Sequence, residues 1–175
     1  MQPDFVVDHR CKSYPLTAAS TQASQLAARG WNVLQDDLPY PLAVIRQSAL
    51  EHNARWMQDY AARRNIQFAP HGKTTMSPQL FDMQLKGGAW GLTFATIYQL
   101  SVGVEAGMRR AIIANQAVAP ADLDGLDALL AQHSDLRVWF LVDSIAQLRC
   151  IEDWAKARGS QRVFDAVLAH AFWLR

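Results

Sequence analysis

The strongest constraint on this chain is an alternation. Short, nearly continuous apolar stretches at 90–95, 111–114 and 136–142 recur between segments that carry helix start and stop signals. Ser77-Pro78 offers an N-cap and a first-turn proline for a helix ending at Gly87-Gly88, and 97–106 reads as a helix stopped by Gly107. Pro120 opens a helix to about His133, and Ser144-Ile-Ala-Gln147 is a capping box for a helix to Arg158. Strands covered on both faces read as unbroken apolar runs, and intervening helices supply the crossovers of a parallel sheet. The pattern predicts an α/β fold, either a barrel or a doubly wound sheet. Both gather ligands at the carboxyl ends of their strands. At those ends stand His71-Gly72-Lys73, Thr96, Asn115-Gln116 and Asp143-Ser144.

The first part of the chain is less regular. Residues 17–29 are rich in alanine and glutamine and end at Gly30, which predicts a lightly packed helix followed by a connector to Pro41. An apolar run at 42–45 reads as a strand, and Ser48-Ala-Leu-Glu51 as a capping box for a helix to about Arg64. A short strand at 66–69 then enters the His-Gly-Lys stretch. The organisation expected is an N-terminal helix and connector (1–40), a strand and helix leading into the barrel (41–65), the incomplete barrel (66–158) and a divergent tail (159–175).

Composition narrows the function classes. Half of the 175 residues are hydrophobic, 19% are charged and the formal net charge is +1, so no electrostatic footprint for nucleic acid or an anionic membrane is expected. The Arg63-Arg64 and Arg109-Arg110 pairs read as helix and strand ends. Cys11 and Cys150 are isolated thiols without a CxxC spacing, which gives neither a disulfide framework nor a zinc cluster. Asp4, Asp8, His9 and Arg10 stand where a signal peptide would carry its apolar core, and no apolar run approaches the ~20 residues of a membrane span. A reducing, cytoplasmic setting is the expectation.

The stretch "FAPHGKTTM" contains Gly-Lys-Thr, the end of a phosphate-binding loop motif. That loop needs a first glycine at position 67, which is Gln67, and small flexible residues where Pro70 and His71 stand. A phosphate cradle is therefore excluded. Read as a strand, 67–73 places Gln67, Ala69, His71 and Lys73 on one face. A lysine there is a candidate for a Schiff base or a general base. A solvated lysine at a strand end is the other reading, and the spacing leaves both open.

The segment "FAPHGKTTMSPQLFDMQLKGGAWGLTFAT", with "RRAIIANQ" and "FLVDS" after it, resembles the fold-type III pyridoxal-phosphate enzymes, in the D-threonine aldolase and D-serine dehydratase branch often called amino acid deaminases. The resemblance runs from about Trp31 to Arg158. It implies a partial (β/α)8 TIM-type barrel of the alanine racemase N-terminal type, beginning at Ile66. It implies that Lys73 carries pyridoxal 5′-phosphate and serves as a base at the substrate α-carbon. His71 would orient the cofactor or relay protons, with Thr74 completing the motif, and Asn115, Gln116 and Asp143 would lie near the ring or substrate. The implied reaction is dehydration, deamination or aldol cleavage of a D-β-hydroxy amino acid, with a homodimer as the assembly.

Beyond Gly159 the resemblance stops. The family's phosphate-binding loops, remaining strands, C-terminal β-domain and the ligands for its divalent metal (zinc or manganese) are expected to lie outside this chain. A strand at 163–168 would then expose an apolar edge. The expectation is an incomplete fragment of the lyase. A non-catalytic pyridoxal-phosphate-binding protein of the same fold type, or a degenerate fragment without activity, are the alternatives.

Overall fold

The computed structural model describes residues 4–168, and these divide between two compact units, Met1–Glu51 and His52–Arg175. In the first unit, β1 (Val6–Val7) pairs antiparallel with β2 (Thr21–Gln22). The helix expected at 17–29 forms only over Ala23–Arg29, and as a 3-10 helix. None of its residues is buried, so no apolar stripe exists to hold a longer α-helix in place. Gly30 does end it, with φ 66°. The expected strand at 42–45 does not form; it has no ladder partner among the described residues, and Val44 and Ile45 are exposed.

The second unit is built as the alternation predicts. α1 (Gln47–Arg64) starts one residue before the predicted capping box, and Glu51 accepts from the Gln47 side chain. There follow α2 (Pro78–Lys86), β3 (Leu92–Phe94), α3 (Ile97–Glu105), β4 (Arg110–Gln116), α4 (Pro120–Gln132), β5 (Arg137–Val142), α5 (Ile145–Arg158) and β6 (Asp165–Leu168). The four strands form one parallel sheet in the order β3-β4-β5-β6. β6 realises the strand expected at 163–168, and all four of its residues are exposed at the sheet edge. Residues 169–175, the end of the expected tail, lie outside the described residues.

The strand expected at 66–69 becomes an irregular companion of β3. Trp90 N–H donates to Phe68 O (3.0 Å), Thr93 N–H to Pro70 O (2.9 Å) and Gly72 N–H to Thr93 O (2.9 Å). Pro70 has no N–H to donate, so the ladder shrinks to a single parallel bridge between His71 and Thr93.

Side chains alternate across β4 and β5, and one set is buried: Ala111, Ile113, Val138, Phe140 and Val142. It packs with Phe81 of α2, Leu100 and Val104 of α3, Leu123 and Leu126 of α4 and Trp154 of α5 in one core. All four helices thus cover the same face. The other face presents Ile112, Trp139 and Leu141, each half-buried. A doubly wound sheet would carry helices on both faces, so this one-sided cover is the wall of a partial α/β barrel.

α4 and α5 are also clipped together by charge. Asp124 accepts from the Arg158 guanidinium at 2.9 and 2.8 Å and from the Trp154 indole at 2.9 Å. Arg158 first, and Trp154 second, hold the Asp124 carboxyl at about 2, below its ordinary 3.8. A carboxyl depressed in the folded state contributes stability above its unfolded value and loses it as pH falls towards the folded one. Asp124→Asn is therefore expected to lower the melting temperature at neutral pH and to flatten its decline between about pH 4 and pH 2.

Candidate functional site

His71, Gly72 and Lys73 leave the sheet beside the end of β3. The bridge to Thr93 fixes His71, and Lys73, Thr74 and Thr75 form a turn closed by Met76 N–H donating to Gly72 O at 3.0 Å. Lys73 and Thr74 occupy that turn and are exposed, so the strand face predicted for Gln67 to Lys73 ends at His71. Met76 closes the turn in a left-handed conformation (φ 46°) and packs on the core. Ser77 occupies the N-cap position of α2 as predicted, but its hydroxyl donates to Gln79 instead of capping the backbone.

Gly72 has a packing reason to be glycine. A Cβ built on it would stand 2.7 Å from a Phe94 ring carbon and 2.8 Å from a Phe81 ring carbon. These two rings meet edge to face with centroids 5.5 Å apart, and both are buried. The glycine that suggested a phosphate loop is there to let the backbone lie on an aromatic pair.

The other predicted residues gather on the same edge. A register shift between Ile113 and Gln116 opens a bulge at the end of β4. Bulges of this kind re-aim side chains, and here they send two neighbours in opposite directions. Asn115 donates to Ala95 O at the end of β3 (3.3 Å), and Gln116 donates to the Asp143 carboxylate at the end of β5. The structure therefore brings Gln116 and Asp143 together and ties Asn115 to the strand next to the lysine turn. Neither Lys73 nor His71 has a side-chain hydrogen bond or ion pair among the described residues.

Two buried or half-buried glutamines complete this edge. Ser144 Oγ accepts from Gln147 N–H (3.2 Å), while Gln147 Oε1 accepts from Asp143 N–H (3.2 Å) and its Nε2 donates to Leu141 O (2.8 Å). Thr96 and Gln99 repeat the device: Thr96 Oγ1 accepts from Gln99 N–H (3.2 Å), and Gln99 Oε1 accepts from Ala95 N–H (2.9 Å). The Ser144 box was visible in the sequence. The Thr96-Ile-Tyr-Gln99 box was missed, although the shared Thr/Ser-Ile-x-Gln-Leu pattern would have found it.

Among the described residues no three His, Cys, Asp or Glu side chains come together as metal ligands. Cys11 and Cys150 are free and exposed, and among the described residues no helix is long and apolar enough to cross a membrane.

No family model matches the chain. It is 34% identical over 122 residues to a D-threonine aldolase from Arthrobacter sp., an overlap of 69% of this chain and 31% of that one. The crystal structure of D-threonine aldolase from Filomicrobium marinum matches with TM-score 0.66 and 27% identity, over 75% of this chain and 34% of that one. D-threo-3-hydroxyaspartate dehydratase from Delftia sp. HT23 matches with TM-score 0.66 and 26% identity, over 75% of this chain and 33% of that one. The chain spans about a third of the length of the curated relatives it matches.

The packing at Gly72 is directly testable. Gly72→Ala should lower stability by about 1–3 kcal/mol, because both rings it meets are confined, and urea unfolding of the pair of proteins measures it.

Proposed function

Over about three quarters of its length the chain belongs to the fold-type III pyridoxal-phosphate family that holds D-threonine aldolase and D-3-hydroxyaspartate dehydratase, and on that premise we propose that it supplies the lysine-bearing part of a lyase for D-β-hydroxy amino acids. One observation carries the reading. Lys73 stands exposed in a tight turn at the carboxyl edge of the sheet, and that turn is seated on the Phe81–Phe94 pair.

The residues present fit an aldehyde cofactor on one side. Lys73 Nζ is an accessible amine with no acid beside it among the described residues, so nothing competes for it. Lys86, by contrast, is held by Asp82 at 2.7 Å. Lys73 would hold pyridoxal phosphate covalently, and His71, next to it on the bridge, would orient the ring. Thr74, in the same turn, would be the third residue to hold the cofactor. When bound, the cofactor supplies an electron sink for charge developing at the substrate α-carbon. Lys73 would also serve as the base that takes the α-carbon proton. Gln116 and Asp143 form a paired donor and carboxylate on the neighbouring strand ends, suited to holding a polar substrate group. The described residues do not fit a metal, and none is given a role. D-amino acids are the proposed substrates, and a homodimer in the cytoplasm is the proposed setting.

Labelling tests the assignment. The chain is incubated with pyridoxal phosphate, reduced with borohydride and digested for mass mapping. A single label on Lys73, lost in Lys73→Ala, is expected. Labelling spread evenly over Lys12, Lys86 and Lys156 would sink it. Assays on D-threonine and on D-3-hydroxyaspartate then separate the two reactions, since aldol cleavage releases glycine and an aldehyde while dehydration releases ammonia and an oxo acid.

A further inference from the structure

The opposite, amino edge of the sheet carries a cavity of about 420 Å3 that the lysine site does not use. Its wall includes Phe68 and Trp90 from either side of the Trp90 N–H to Phe68 O bond, with Arg110 from the first position of β4. Gln58 of α1 and Gln67 add two amide groups. We propose that this cavity binds a small planar carboxylate.

The polar side chains here hold no hydrogen bond or ion pair among the described residues. Arg109 pairs with Asp135, Arg158 with Asp124 and Arg162 with Asp127. Arg110 has neither an ion pair nor a hydrogen-bonded side chain among the described residues, and its guanidinium carbon lies 6.0 Å from the centroid of the Trp90 ring. The side chains of Gln58 and Gln67 likewise have no hydrogen-bond partner among the described residues. Arg110 and Gln67 are exposed and Gln58 is half-buried, so all three side chains can turn to a molecule that enters the cavity.

The charge around them favours an anion. Arg110 stands in register with Arg137 on the neighbouring strand, a like-charge pair that disfavours itself. Arg137 turns away to the carbonyls of Ser134 and Leu136, at 3.2 and 3.1 Å, which leaves Arg110 to face the cavity alone. A guanidinium fork matches a carboxylate with two parallel hydrogen bonds. The walls of Phe68 and Trp90 suit a flat ring, and the two glutamine amides can each donate to and accept from its substituents. Gly87 leaves room for this arrangement, since a Cβ there would overlap the Gln58 amide. The volume lies in the range of roughly 300–1,000 Å3 usual for small-molecule sites.

Benzoate is the probe, because it has the planar carboxylate and no aldehyde to react with Lys73. Titration of the full 15N-labelled chain should give saturable shifts at the Trp90 indole and at Arg110 Nε. Arg110→Gln, at an exposed strand start, should keep the far-ultraviolet dichroism of the parent and weaken binding roughly tenfold or more. Arg110→Lys keeps the charge but loses the fork, and should also bind more weakly than the parent. Lys73→Ala should bind benzoate unchanged. The proposal is overturned if Trp90 shows no saturable shift, if Arg110→Gln binds as tightly as the parent, or if inorganic phosphate moves the same resonances as strongly as benzoate.

Discussion

The fold of the second unit turns on the space around one ring. Phe94 is fully buried, and the backbone approaches it from two sides where only hydrogen fits. A Cβ would come within 2.7 Å of the ring at Gly72 and within 2.6 Å at Gly103. Phe81 closes the edge from α2. The lysine turn, β3, α2 and α3 therefore meet at a single side chain. Interiors packed to this density transmit small displacements instead of absorbing them. The position of Lys73 is thus set by the core beneath it, one residue away, although its own side chain is exposed.

What the ring does for the lysine turn, β4 does for the other strand ends. Asn115 reaches back to β3 and Gln116 reaches forward to β5, so one bulge ties three consecutive ends. Each neighbouring end is held a second time, by the glutamine one turn into its own helix. This changes the meaning of Asn115 and Gln116. A residue in a polar cluster at a strand end looks like a ligand contact, but both amides are already donating within the protein. Their first effect is to fix the spacing between strand ends, which is how a site gains precision on a rigid scaffold.

Much of this was legible, for identifiable reasons. The helices of the second unit are bracketed by residues that have no better use elsewhere: Pro78 and Pro120 in first turns, Gly87, Gly107 and Gly159 at the ends. β4 and β5 are apolar enough that no other reading competes. The first unit lacked such punctuation, and there 17–29 and 42–45 were misread, because alanine-rich and short apolar segments take their conformation from packing that sequence does not show. Pro70 was visible, yet its effect on the ladder depends on which neighbour needs its missing N–H. At the proposed site, His71 and Lys73 stood out in the sequence through the motif, but the packing role of Gly72 did not. A glycine kept for close approach looks the same in sequence as one kept for a turn. The Arg110 cavity left no local signal either, since Gln58, Phe68, Trp90 and Arg110 come together only through the sheet.

The two faces of the sheet bear on how the lysine site proposed at the carboxyl edge would exclude water. The helix-covered face is full, with its strand residues packed against α2, α3, α4 and α5. Ile112, Trp139 and Leu141 face the other way and are half-buried, with Trp139 leaning on Trp90 at 5.0 Å between centroids. A lysine that holds a cofactor and moves a proton works best where water is excluded. That exclusion has to come over the half-buried face, because the helices leave no room on theirs. On the proposed function, the lysine turn and its aromatic support stand on the helix-packed side of the wall, and Ile112, Trp139 and Leu141 mark the side from which the site would be dried.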